Sequence, residues 1–182
     1  MTTLTGRDKS ALIVIDVQNG IVEGAYKRNE VINNVESAVA RARASHIPVI
    51  WVQHSDEELI IDSETWNLVS ELIPLEGEPM IRKTFRSSFE ATNLDEILEA
   101  FSVSHLIVCG AQSNNCVRHT AHAALDKGYD VTLISDAHTT KSYAWAGHEV
   151  SAQAVVEEQN DNFNELLPGR FARAIPLADL SL

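Results

Sequence analysis

Three residues far apart in this chain are of the types that could together act on a carbonyl compound: Asp16, Lys83 and Cys116. A cysteine nucleophile needs a group that removes its proton and later returns it. A carboxylate held near a lysine can do both, while the ammonium favours the thiolate. Each residue also has a plain structural reading: a buried structural cysteine, an aspartate that caps a turn, a solvated surface lysine. What joins the three is position, because each closes a predicted strand or the loop after one.

The elements that must position them follow from the pattern. Ala11 to Ile15 is a short β-branched run that ends in Asp16, and Val49 to Val52 is a second strand. Between them Val31, Val35, Ala38, Val39 and Ala42 recur at helical spacing, and a helix of that length favours a parallel crossover. The acidic stretch Asp56 to Glu64 reads as a surface loop leading to a short helix with Trp66, Val69, Leu72 and Ile73 inward, stopped by Pro74. Met80 to Lys83 is a short third strand, and Leu94, Ile97, Leu98 and Phe101 make an amphipathic stripe. Leu106 to Cys109 is a central strand broken by Gly110, and a helical period starts at Val117 with Ala121, Ala124 and Leu125. Cys116 is therefore expected at a helix start, where unpaired N–H groups and the macrodipole favour a thiolate. Gly128 ends that helix, Tyr129 to Ile134 forms a fifth strand finishing at Ser135-Asp136, a helix covers about 144–158, and Ala172 to Pro176 closes the set. Repeated βα units predict one α/β domain over residues 1–182: a three-layer sandwich with a mostly parallel sheet and helices on both faces.

Composition removes several classes of function. The chain has 182 residues and a net charge of −12, with no basic run, which argues against nucleic acid and anionic membrane surfaces as partners. There is no Gly-x-Gly-x-x-Gly, no Gly-x-x-x-x-Gly-Lys-Ser/Thr and no Gly-x-Ser-x-Gly, so neither a glycine-rich phosphate site nor a serine elbow is supported. His119 and His122 lie three apart on one predicted helix without further ligands, and His54, His138 and His148 carry no assignment, so no metal or other cofactor is expected. Ser113 reads as a loop hydrogen-bonding residue. Two cysteines, one of them inside a strand, do not describe a disulfide framework; with no apolar leader or membrane-length run, a cytoplasmic location is the expectation.

The motifs taken in order resemble those of the isochorismatase-like cysteine hydrolases. These are Asp16-Val17-Gln18 after the first strand, Lys83 followed by Ser88-Phe89 and Thr92-Asn93-Leu94, and Gly110-Ala111-Gln112-Ser113-Asn114-Asn115-Cys116-Val117. Gly128-Tyr129-Asp130-Val131 and Ser135-Asp136-Ala137-His138 fit as well, and the matches run from about residue 11 to 140. The resemblance implies a six-stranded parallel sheet and assembly as a homodimer or larger homo-oligomer. It also implies that Cys116 attacks a carbonyl carbon, that Asp16 moves the proton and that Lys83 holds the pair charged. A cis peptide at Ala111–Gln112 is implied too, turning the Gln112 N–H toward the Cys116 N–H to form an oxyanion hole.

On that basis the expected reaction is hydrolysis of a C–N bond in a small amide, lactam or carbamoyl substrate through a thioester. Zinc-dependent nicotinamidases carry Asp-x-His after the second strand, where this chain has Val52-Gln53-His54; isochorismatases proper cleave a vinyl ether and need no cysteine. A non-catalytic binding or subunit-interaction protein with a relic site, an isochorismatase acting on a vinyl ether, and a redox sensor at Cys116 stand as alternatives. Gln18, Trp51, Phe85 and Phe89 are candidates for lining a substrate pocket, or equally for core and interface. Asn160 lies where many such proteins carry a His-Asn pair, here preceded by Glu158-Gln159.

Overall fold

The computed structural model describes residues 2–164 and 166–182. The chain begins with β1 (Lys9–Ile15), a single turn α1 (Asn19–Val22), the long α2 (Arg28–Ala44) and β2 (Val49–His54). There follow β3 (Met80–Lys83), α3 (Leu94–Ala100), β4 (Val103–Ala111), a wide turn Ser113–Val117, α4 (Arg118–Asp126) and β5 (Asp130–Thr139). A hairpin of β6 (Tyr143–Trp145) and β7 (His148–Val150) leads to α5 (Ala152–Asn162), β8 (Leu166–Leu167) and β9 (Arg170–Ile175).

The sheet order is β3-β2-β1-β4-β5-β9-β8. The first six strands are parallel and β8 adds an antiparallel edge. Alternation along the strands divides the core: Ala11, Ile13 and Ile15 face the layer holding α3 and α4, while Leu12 and Val14 face α2. The chain winds outward in one direction from β1 through β2 to β3, and in the other from β4 through β5 to β9. The order thus reverses between β1 and β4, and a crevice opens beyond the carboxyl ends of strands at such a reversal. Gly110 permits it: its φ is +120° and a Cβ there would overlap the Ile15 carbonyl.

Three elements differ from the expectation. Residues 66–73 form no helix, because their backbone bonds go elsewhere: Val69 N–H donates to Val17 O, and Asn67 O accepts from Asn19 N–H. Trp66, Val69 and Leu72 are still buried, but Ile73 is exposed. The helix expected over 144–158 starts only at Ala152, since Ala146-Gly147, both at positive φ, close the β6–β7 hairpin, and the Ser151 side chain then caps the Ala154 N–H. Strand β5 continues to Thr139 instead of stopping at Ile134. Among the described residues, no helix is long and apolar enough to cross a membrane.

Candidate active site

Asp16, Lys83 and Cys116 converge at the reversal. Asp16 leaves β1 with φ 49°, a left-handed turn that aspartate tolerates, and its N–H donates to Val52 O at 2.9 Å. Lys83, the last residue of β3, sends its ammonium across β2 to donate to Asp16 Oδ2 at 2.7 Å and to Cys116 Sγ at 3.2 Å. Both members of the ion pair are buried, and Cys116 is 8% exposed. Asp16 Oδ1 has no hydrogen-bond partner among the described residues.

Electrostatics here differ from the expectation of a favoured thiolate. Burial first, then the neighbouring Asp16 charge, pushes the Cys116 thiol up to about 12, against the opposite pull of Lys83. Burial likewise raises the Asp16 carboxyl above its ordinary value, with Lys83 opposing. Position at a turn start does not prevail over burial in a site shared with a carboxylate, so the resting sulfur is a thiol. Cys109, on the α2 face of β4, is simply buried.

The nucleophile loop is closely tied. Gln112 O accepts from the Asn115 and Val117 N–H groups at 3.0 and 3.2 Å, and the Asn115 side chain donates to Gln112 Oε1 at 3.0 Å. The Ala111–Gln112 peptide is cis.

Cys116 opens into a cleft of about 520 Å³ whose walls include Gly20, Ile21, His54, Asp56, Leu59, Thr65, Gln112 and Asn115. Charged groups Glu23, Glu58, Arg86 and Lys141 also line it. None of the four proposed pocket residues is among its walls. Trp51 is fully buried on the α2 face and donates its indole N–H to Glu78 Oε2 at 2.7 Å. Phe89 packs in the opposite core layer with its ring 5.9 Å from that of Tyr129, and Phe85 is exposed elsewhere while its neighbour Arg86 reaches the cleft. Gln18 is buried behind the wall, where its amide donates to His54 O and Trp66 O and accepts from His54 N–H. Only Trp51 lies within a strand and so points into a core layer; Gln18, Phe85 and Phe89 lie in the loops after β1 and β3, where Gln18 and Phe89 turn inward and Phe85 turns to solvent away from the cleft.

His54 is the functional candidate that sequence reasoning left without a role. Its Nδ1 lies 3.4 Å from Lys83 Nζ and its Nε2 3.2 Å from Asp56 Oδ2. Asp56 is itself held by the Glu58 and Leu59 N–H groups. An ammonium has three protons and no acceptor, so Asp16, Cys116 and His54 together take all three directions. The signal was available, since His54 closes β2 as Lys83 closes β3, but as a metal motif it was incomplete. Among the described residues no group of three His, Cys, Asp or Glu side chains could hold a metal ion.

Residues 10–166 match the isochorismatase domain family. The chain belongs to that family. Among its relatives is a streptothricin hydrolase of Streptomyces noursei, 36% identical over 136 residues that cover 71% of this chain and 49% of the relative. A second streptothricin hydrolase of that organism is 34% identical over 74% of this chain and 56% of its own length, so the chain spans about half the length of these relatives. A crystal structure of an isochorismatase from Pseudomonas putida KT2440 superposes with a TM-score of 0.87 at 28% identity, covering 98% of this chain and 94% of that one. The six-stranded parallel α/β architecture expected from the sequence is present in this chain and matches that isochorismatase structure.

Proposed function

We propose that the protein hydrolyses a C–N bond of a small amide, lactam or carbamoyl compound through a thioester on Cys116. The observation that carries the reading is one ammonium, Lys83, in contact with both a buried carboxylate and a cysteine sulfur at the floor of a cleft. A cleft of that volume suits a small molecule, and the streptothricin hydrolases among the relatives are hydrolases by name.

As Sγ attacks the carbonyl carbon, the thiol proton passes to Asp16, whose Oδ1 is free to take it. Lys83 offsets the negative charge as it moves from carboxylate to sulfur. The carbonyl oxygen becomes an oxyanion facing the Gln112 and Cys116 N–H groups, an arrangement of a kind worth about 3–4 kcal/mol per donor. Collapse breaks the C–N bond, and the amine leaves with the proton from Asp16. Water then attacks the thioester while Asp16 takes one of its protons; the acid departs and the proton returns to sulfur.

A panel of small amides, ureas and lactams scored by ammonia or amine release tests this. Turnover by the wild type that falls to background in Cys116→Ser is expected. Equal turnover by the two proteins would remove the cysteine from the mechanism.

A further inference from the structure

Behind the nucleophile loop a second polar chain crosses the core, outside the cleft. Ser113 Oγ lies 2.8 Å from His138 Nδ1, His138 Nε2 lies 2.9 Å from Asn160 Oδ1, and Asn160 Nδ2 donates to Ser135 O at 3.0 Å. Ser113 and His138 are buried to within 1%. We propose that Ser113, His138 and Asn160 are positioning residues that set the Gln112 N–H for oxyanion binding, with every hydrogen bond in the chain running in one fixed direction. This rests on the reading of Gln112 as an oxyanion donor.

The direction follows from donor accounting. Asn160 must turn its NH₂ to the Ser135 carbonyl, since the reverse would set two oxygens against each other, so Oδ1 faces the imidazole. Burial holds His138 down to about 4, despite the opposing influence of Asn160 and Asp136, so the ring is neutral at pH 7. A neutral ring facing an acceptor at Nε2 carries its proton there, which leaves Nδ1 as the acceptor for the Ser113 hydroxyl. The Ser113 rotamer, and with it the backbone directly after Gln112, is fixed.

The strand is shaped to deliver this contact. Val108 pairs with Leu133 and Gly110 with His138, so Cys109 alone on β4 stands opposite residues 134–137 of β5. That detour is itself satisfied, Asn160 holding Ser135 O and Asn34 holding Asp136 O at 2.7 Å. Beyond it β5 rejoins β4 beside the loop, where Thr139 pairs with Ala111 and the Thr140 hydroxyl donates to Asn114 Oδ1 at 2.8 Å. His138, Thr139 and Thr140, at and just past the end of β5, thus hold Ser113, Ala111 and Asn114.

Two probes of Cys116 separate positioning of the oxyanion site from simple support of the fold. Iodoacetamide alkylates sulfur without forming an oxyanion, whereas propionaldehyde forms a thiohemiacetal whose oxygen occupies that site. In Ser113→Ala, and in the same direction in Asn160→Ala, the alkylation rate should stay within about twofold while the propionaldehyde concentration that protects Cys116 rises about tenfold, short of the roughly 10²-fold for deleting a donor. Unchanged protection, or alkylation slowed in parallel with it, overturns the proposal. Nitrogen-15 NMR of wild-type His138 needs no variant: the Nε2–H tautomer at pH 7 is expected, and the Nδ1–H tautomer or an imidazolium overturns it. Turnover by Cys116→Ser equal to that of the wild type would remove the nucleophile reading first, and this proposal with it.

Discussion

Lys83 Nζ stands 3.2 Å from Cys116 Sγ, yet the thiol is pushed up to about 12. The cation does not produce a resting thiolate because the sulfur is buried and Asp16, already paired to the same ammonium, disfavours a second negative charge. Nucleophile and base are therefore poised to exchange a proton during the reaction.

That relationship gives opposite effects for one substitution. Asp16→Asn removes the base and the repulsion together, so turnover should be lost while alkylation of Cys116 by iodoacetamide at pH 8 speeds up, on the order of tenfold for each pKa unit by which the thiol falls. Rates of alkylation measured against pH check this. A slower reaction in Asp16→Asn would show that the carboxylate promotes the thiolate.

Lys83→Met strands a buried carboxylate. Loss of one partner of a buried pair costs about 3–5 kcal/mol, and the raised Asp16 pKa fixes the sign with pH. The stability difference from wild type should be larger at pH 8 than at pH 5, because the lone carboxyl takes up a proton more readily as pH falls. Urea unfolding at the two pH values measures it.

Much of the fold and of the site was legible in the sequence, and for a definable reason. Asp16 and Lys83 close strands and Cys116 closes the loop after one, and strand ends in an open parallel sheet share one edge. The pocket aromatics were not legible: type alone does not tell a residue within a strand from one at its end, so that Trp51 and His54, three apart on β2, meet different surroundings, and Phe85 and Phe89 lie in a loop with no period to orient them. The linkage of Ser113 to His138 depends on the detour at 134–137, which leaves no period in the sequence. The hairpin at Ala146-Gly147 lacked the usual Asn-Gly signal.

Buried His138 and half-buried His105 predict acid sensitivity. His138 is held down to about 4 by burial, and His105 to about 4 by burial and Arg173. The unfolded chain binds protons that the folded one refuses between about 6.5 and 4, so this stability is present above pH 6.5 and is lost as pH falls toward 4. For His138 the loss should reach about 3 kcal/mol; His105, less deeply buried, should contribute less. Melting temperatures across that range, compared with those of His138→Gln, test it.

Trp51 belongs to a structural cluster. Glu78 accepts from Arg43 Nε and Nη2 at 2.8 Å each and from the Trp51 indole at 2.7 Å. Glu78→Ala leaves a buried indole N–H without a partner and should cost about 2–3 kcal/mol, with a shift in tryptophan fluorescence. Cys116 alkylation should keep its wild-type rate within about twofold in this variant. A changed rate would connect Trp51 to the site after all.

The thioester is the central claim, and p-nitrophenyl acetate tests it most directly, because it delivers an acyl group without a matched amide. Protein quenched in acid during the reaction and analysed by peptide mass spectrometry should carry one acetyl group on Cys116, which disappears once the ester is exhausted. An acetyl group found elsewhere, with Cys116 unmodified throughout turnover, would contradict the account.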